Sequence, residues 1–134
     1  MRKRIQQIEQ WMAPAEQALR TTQVDLDSGD LRATVNHAGY AVFRAATAAL
    51  LTKGLERRRR SGVISAFREH LVRPGMIEAE YSHIYGEMLV VREDADYAIE
   101  IPVDAEMAET ALRQAERFVE RMSKYLSEEG QRNA

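Results

Sequence analysis

The stretch DSGDLRATVNHAGYAVFRAATAALL, residues 27–51, sets the architecture of this chain. It opens with a helix stop and a helix start placed back to back. Gly29 suits the left-handed position that ends a helix, and Asp30 suits the cap of the next one. Behind that junction Leu31, Val35, Val42, Phe43, Ala46, Ala49 and Leu50 recur at helical spacing. Between Ala38 and Ala49, Ala and Gly fill seven of twelve positions. Small side chains let a second backbone come close. A helix from about Leu31 to Lys53, closed by Gly54, is therefore expected at the centre of the fold.

The same period of 3.6 residues runs outward in both directions. Towards the N-terminus, Ile5, Ile8, Trp11 and Met12 share one side of a first helical segment. Pro14 suits the first turn of a new helix, which Ala15, Ala18, Leu19, Thr22 and Leu26 continue. On the other side, Val63, Ile64, Phe67, Leu71 and Val72 mark a short helix that Pro74 and Gly75 end. Ile77, Tyr81, Ile84, Met88 and Val91 mark a long one. IEIPVD reads as extended, because Ile101 precedes a proline. Asp104 then caps a final amphipathic helix carrying Met107, Leu112, Phe118, Met122 and Leu126. No internal repeat and no low-complexity tract is present. The expected fold is all-α, an antiparallel up-and-down bundle of four to five helices in a single domain, residues 1–134.

Composition excludes several classes of function. The chain has 134 residues, 45% apolar and 30% charged, as in an ordinary globular domain. It has no Cys, so disulfides, thiolate nucleophiles and Cys-based metal sites are ruled out. The basic start MRKR is followed by no apolar run, and no segment approaches the roughly 20 apolar residues of a membrane span. A cytoplasmic protein without membrane contact is expected. The net charge is −2, so any phosphate binding must come from a local patch.

One such patch is ERRRRSG. Residues 53–60 carry five cations, Lys53 and Arg57, Arg58, Arg59 and Arg60, against Glu56 alone. Ser61 is a plausible cap for a helix beginning near Gly62, whose free N–H groups would favour an anion. Four arginines beside that positive helix end either form a solvated face or hold a phosphate. A second cluster is VREDADY, with Arg92, Glu93, Asp94, Asp96 and Tyr97 near the end of a helix. Arg92 and Asp96 stand four apart and can pair on one face, in the weaker orientation for such a pair. Three acids near a helix C-terminus oppose the helix dipole, so the cluster is poor for local stability. The three histidines, His37, His70 and His83, form no metal-binding pattern. His83 with Glu87 reads as structural, and no metal or cofactor is expected. Tyr40 on the Ala-rich helix is expected to be buried with its hydroxyl bonded.

Three stretches together resemble the HEPN superfamily, in its standalone, nucleotidyltransferase-associated branch. Residues 27–51 resemble the family's second helix, where a Gly-Asp loop leads into an Ala-rich YYAMFHAARALL run. SGVISAFREHLVRPGMI resembles its HSGVIAAFGKHFVKTGKI segment, and VREDADYAIEI its LRxxADYD segment. The likeness covers about residues 14–127 and leaves the first dozen residues outside. Ribonuclease members of the superfamily carry an Arg, four to six residues and a His near a helix end, often with a Tyr two residues later. In this chain Arg92 stands at the Arg position, and Asp96 or Tyr97 stands where the His is expected. Arg60, Gly39 and Arg44 replace a His, a Tyr and a His that the branch commonly shows. The spacing of Arg32 and His37 matches the motif in length but lies on the wrong helix.

The resemblance implies a homodimer, a nucleotidyltransferase partner and a toxin–antitoxin or defence-type setting. The missing His implies a degenerate motif. The chain is then expected to be a module binding RNA, another nucleic acid, a nucleotide or a protein partner. Its candidate anion site is Arg57, Arg58, Arg59, Arg60, Ser61 and Arg92. Two alternatives stand beside it. One is a metal-independent ribonuclease using Arg92 and Tyr97, or a His from across a dimer; the other is a purely structural oligomerising bundle.

Overall fold

The computed structural model describes residues 2–97 and 102–132, the side chains of residues 89–97 excepted. The fold is an all-α bundle. Its helices are α1 (Arg2–Ser28), α2 (Leu31–Leu50), α3 (Arg60–Phe67), α4 (Ala79–Tyr97) and α5 (Ala105–Glu128). A single 3-10 turn, Leu51–Lys53, extends α2, and a π-helical segment, Arg68–Val72, extends α3.

The expected junctions are present. Gly29 has φ 84° and ends α1, and the Asp30 carboxylate accepts from the Ala33 N–H at 3.2 Å to cap α2. Gly54 has φ 69° and closes the 3-10 turn. The Asp104 carboxylate caps α5 by accepting from the Met107 N–H at 2.8 Å. Of the extended segment expected around Ile101, residues 98–101 lie outside the described residues.

Helix α2 is the central element and packs against α1, α3, α4 and α5. Its buried face is dominated by small residues, Ala38, Gly39, Ala41, Ala45, Ala46, Ala48 and Ala49, with Thr34, Val35, Val42, Thr47 and Leu50 between and beside them. That small-residue face is consumed inside the bundle, so it offers no surface to a second copy. Buried hydroxyls are satisfied within their own helices. Thr22 donates to the Ala18 carbonyl at 2.6 Å, Thr34 to Asp30 at 2.8 Å and Thr47 to Phe43 at 2.8 Å. An aromatic cluster fills the far side. Phe118 of α5, fully buried, meets Phe67, Tyr85 and Tyr81 at centroid distances of 5.6, 6.2 and 6.4 Å.

The expected break at Pro14 does not occur: α1 runs through it as one helix. Ile8, Met12, Ala15, Ala18 and Thr22 form one continuous buried stripe across the proline. Burial of that stripe outweighs the lost hydrogen bond, whose acceptor belongs to the exposed Gln10. Interior proline costs about 3 kcal/mol in a helix. Pro14→Ala is therefore expected to raise stability by about 1–3 kcal/mol in urea melts. An unchanged or lowered midpoint would mean that α1 uses the proline's geometry.

Two ion pairs clamp the start of α4 to α5. Arg121 donates from Nε to Glu78 at 2.7 Å and from Nη2 to the same carboxylate and the Met76 carbonyl, each at 3.2 Å. Arg117 reaches Glu80 at 2.9 Å. The Arg121 hydrogen bond holds the Glu78 carboxyl below its ordinary range. Its folded pKa is depressed, so the pair's contribution is present above the ordinary glutamate value of about 4.3 and fades as pH falls through the lower folded value. Glu78→Gln should lower stability at neutral pH and flatten its acid dependence. Parallel wild-type and variant curves through that acid window would contradict this.

Candidate anion-binding surface

Arg60 opens α3 and is anchored on three sides. Its guanidinium lies 5.0 Å from the Tyr40 ring centroid and 5.2 Å from that of Phe43, both on α2. Arg44 lies 5.4 Å from the same Tyr40 ring. From α4, the Tyr85 hydroxyl donates to the Arg60 carbonyl at 3.1 Å. Such cation–ring contacts hold a guanidinium in place without cancelling its charge. The Arg60 Nε is buried with no hydrogen-bond partner among the described residues. Tyr40 is accordingly half-buried between two cations rather than enclosed in the core.

The preceding loop displays the other arginines. Arg57, Arg58 and Arg59 are exposed. The Arg57 stem lies over Gly62, its Cβ 3.6 Å from where a glycine Cβ would stand, and its Nη1 donates to the Glu56 carbonyl at 2.9 Å. Among the described residues, no carboxylate pairs with Arg57, Arg58, Arg59 or Arg60. The basic start of α1 joins them: Arg4 reaches Gly54, its Nη2 3.5 Å from the position a Cβ would take. Of the acids of α1, Asp25 and Asp27 stand at its opposite end, about 30 Å away along the axis at 1.5 Å per residue, whereas Glu9 and Glu16 are paired with Arg132. A cationic pole of this kind draws anions despite a net charge of −2.

Ser61 does not cap α3. The N-cap is Arg59, extended at φ −95° and ψ 141°, and it makes no side-chain cap bond. The anchoring of Arg60 by Tyr40, Phe43 and Tyr85 starts the helix earlier than the sequence suggests. Ser61 lies in the first turn, exposed. By helix geometry the N–H groups of Arg60, Ser61 and Gly62 lack intrahelical acceptors, beside a capping position that supplies none.

Arg92, Asp96 and Tyr97 fall on the last turns of α4. Their backbone is helical, which places Arg92 and Asp96 one turn apart on one face. Their side chains lie outside the described residues. Arg92 is seven residues, about 10 Å, beyond Tyr85, whose hydroxyl meets Arg60. Arg68 also crosses α4, its Nη2 3.2 Å from a Cβ built at Gly86.

The histidines occupy other places. His37 Nδ1 bonds Asp25 at 2.5 Å and ties α2 to α1. His70 sits 3.6 Å from Glu69, and His83 is exposed. No group of three His, Asp or Glu among the described residues is placed to hold a metal ion. Among the same residues, no helix is long and apolar enough to cross a membrane.

The Tyr40–Arg60–Phe43 stack was not visible in the sequence. Tyr40, Phe43 and Arg44 stand at helical spacing and share a face, which is a signal. Nothing local, however, says that Arg60 will meet them.

Residues 8–125 match the family model described as the HEPN domain. The match begins ahead of Pro14, so most of α1 belongs to the family pattern and the unmatched start is shorter than the sequence suggested. A Methanocaldococcus jannaschii protein named "Putative toxin" is 37% identical over 114 residues, covering 85% of this chain and 84% of its own length. A UPF0332 protein of Thermotoga maritima is 31% identical over 121 residues, covering 90% and 92%. A second Methanocaldococcus jannaschii "Putative toxin" is 27% identical over 120 residues, covering 90% and 82%. The chain belongs to the HEPN domain family.

Proposed function

We propose that the protein is a toxin-type HEPN module that binds nucleic-acid or nucleotide phosphate through Arg57, Arg58, Arg59 and Arg60, with the first turn of α3 at Ser61 and with Arg92. The carrying observation is Arg60, fixed by two rings and a hydroxyl at the head of an uncapped helix, beside three exposed arginines that no described carboxylate neutralises. A solvated face does not need an anchored arginine. The toxin setting rests on the names of two relatives. Labelled single-stranded RNA at about 50 mM salt should bind saturably and weaken as salt rises. No salt-sensitive binding to RNA, DNA or nucleotides would leave the patch a solvated face.

The partners belong to the same proposal. A nucleotidyltransferase with a Gly-Ser and paired-Asp signature is expected in the adjacent reading frame and in the purified complex; an isolated gene with no copurifying protein would count against it. A homodimer is expected by light scattering, and a constant 15.3 kDa mass at micromolar concentration would refute it.

Ribonuclease action is the second reading, favoured by the relatives' toxin names. Arg92 would hold the scissile phosphate, and Asp96 or Tyr97 would stand in for the absent His. Tyr titrates near 10 and an ionised Asp repels phosphate, so a slow reaction is expected. RNA cleavage in EDTA that disappears in Arg92→Ala supports this reading. Cleavage no faster than protein-free controls removes it.

A further inference from the structure

We infer that the arginine surface takes single-stranded rather than duplex nucleic acid, one base of which stacks on Trp11. This rests on the reading above that the surface binds nucleic-acid phosphate, and adds what kind of strand it selects. Trp11 is the one tryptophan of the chain and is 37% exposed, although it lies on a helix whose other large apolar residues nearby, Ile8 and Met12, are fully buried. Its ring meets Phe43 at 6.3 Å and 88°, and Phe43 carries the Arg60 guanidinium at 5.2 Å. Tyr40, Arg60, Phe43 and Trp11 thus form one continuous ladder of rings and a cation, and its open end is Trp11.

The ladder lies on the cationic pole. Arg4 and Trp11 are seven residues apart, so they share a face of α1 about 10 Å apart. Arg4 reaches Gly54 at one end of the arginine loop, and Trp11 adjoins the Arg60 stack at the other. A row of cations bordered by an exposed aromatic is the arrangement that holds unpaired strands, with phosphates on the arginines and a base on the ring. In a duplex the base faces are already stacked and cannot reach it. A second copy fits the patch poorly, since it would bring Arg57, Arg58 and Arg59 against their own equivalents.

Trp11 is its own probe. Oligouridylate titrated into the full-length protein should quench tryptophan fluorescence, and the same strand annealed to oligoadenylate should bind more weakly and quench little. Trp11→Leu should lower oligouridylate affinity about tenfold or more, the effect of removing one base–aromatic stack, and leave the salt slope unchanged. Trp11→Phe should recover most of the loss. Salt-sensitive binding without quenching, or equal affinity for the duplex, would overturn the inference and leave the phosphate reading intact. Fluorescence that changes with protein concentration alone would assign Trp11 to a contact between copies. Absence of any binding would remove both. The quenching arm uses wild-type protein, so it stands even if Trp11→Leu folds poorly.

Discussion

Phe118→Ala is expected to destabilise the protein by about 3–5 kcal/mol. Phe118 is fully buried and its ring touches Phe67, Tyr81 and Tyr85. It therefore joins α5 to α3 and α4 at one point. Removing it deletes the transfer free energy of a whole ring and leaves a cavity that three other rings cannot collapse into, because Phe67 and Tyr85 are themselves fixed. Each aromatic pair removed adds about 0.5–1.5 kcal/mol to the area term. In a chain of this size the melting temperature should fall by about 10 °C or more. Val24→Ala, at a side chain 65% exposed on α1, is the control and should change little. A loss below about 1 kcal/mol for Phe118→Ala would mean that α5 is held mainly by its polar clamps, Arg121 to Glu78 and Arg117 to Glu80.

The bundle was legible because its signals are local. Gly29, Asp30, Gly54 and Asp104 punctuate the helices through their own backbone and side-chain chemistry, and each junction is where the pattern put it. The central position of α2 followed from its Ala and Gly content alone. Pro14 misled because propensity is a local quantity, whereas the stripe Ile8, Met12, Ala15, Ala18 is buried by α2. Ser61 misled for the same reason in reverse: contacts from Tyr40, Phe43 and Tyr85, all distant in sequence, fix where α3 begins. The arginine run was visible as charge, but the stack that holds Arg60 was not, since it joins residues of α2 and α3 that are distant in sequence. The C-terminal strap escaped as well. Arg132 donates to Glu9 at 2.9 Å, to Glu16 at 2.6 Å and to Ser123 at 3.0 Å, which no periodicity announces.

Replacing Arg58, Arg59 and Arg60 together by Gln should cost on the order of 100-fold in affinity for single-stranded RNA at low salt. Each phosphate neutralised contributes roughly 0.7 to the slope of log affinity against log salt for a single strand. Without three such arginines the slope is shallower by about 2, which amounts to two orders of magnitude or more between about 1 M and 50 mM salt. The exposed Arg58 and Arg59 act through charge alone, so their substitution should leave folding intact. Arg60→Gln also removes the stacking of a guanidinium on Tyr40 and Phe43, which is worth about 0.5–2 kcal/mol in all. A modest fall in melting temperature is therefore expected with an unchanged helical circular-dichroism signal. Replacing Arg58 and Arg59 alone by Gln separates the two effects, since it removes two of the three charges and leaves the Arg60 stack in place. Full affinity in the triple variant would exclude the loop from binding.

The central claim is that phosphate is held by the arginines at the head of α3. It is tested most directly by the salt slope of RNA affinity, measured by anisotropy for wild type and the Arg58, Arg59, Arg60 to Gln variant in parallel. The expected result is a slope of about −2 or steeper for wild type and one flatter by about 2 for the variant. Equal slopes in the two proteins would contradict the claim and move the binding surface elsewhere on the bundle.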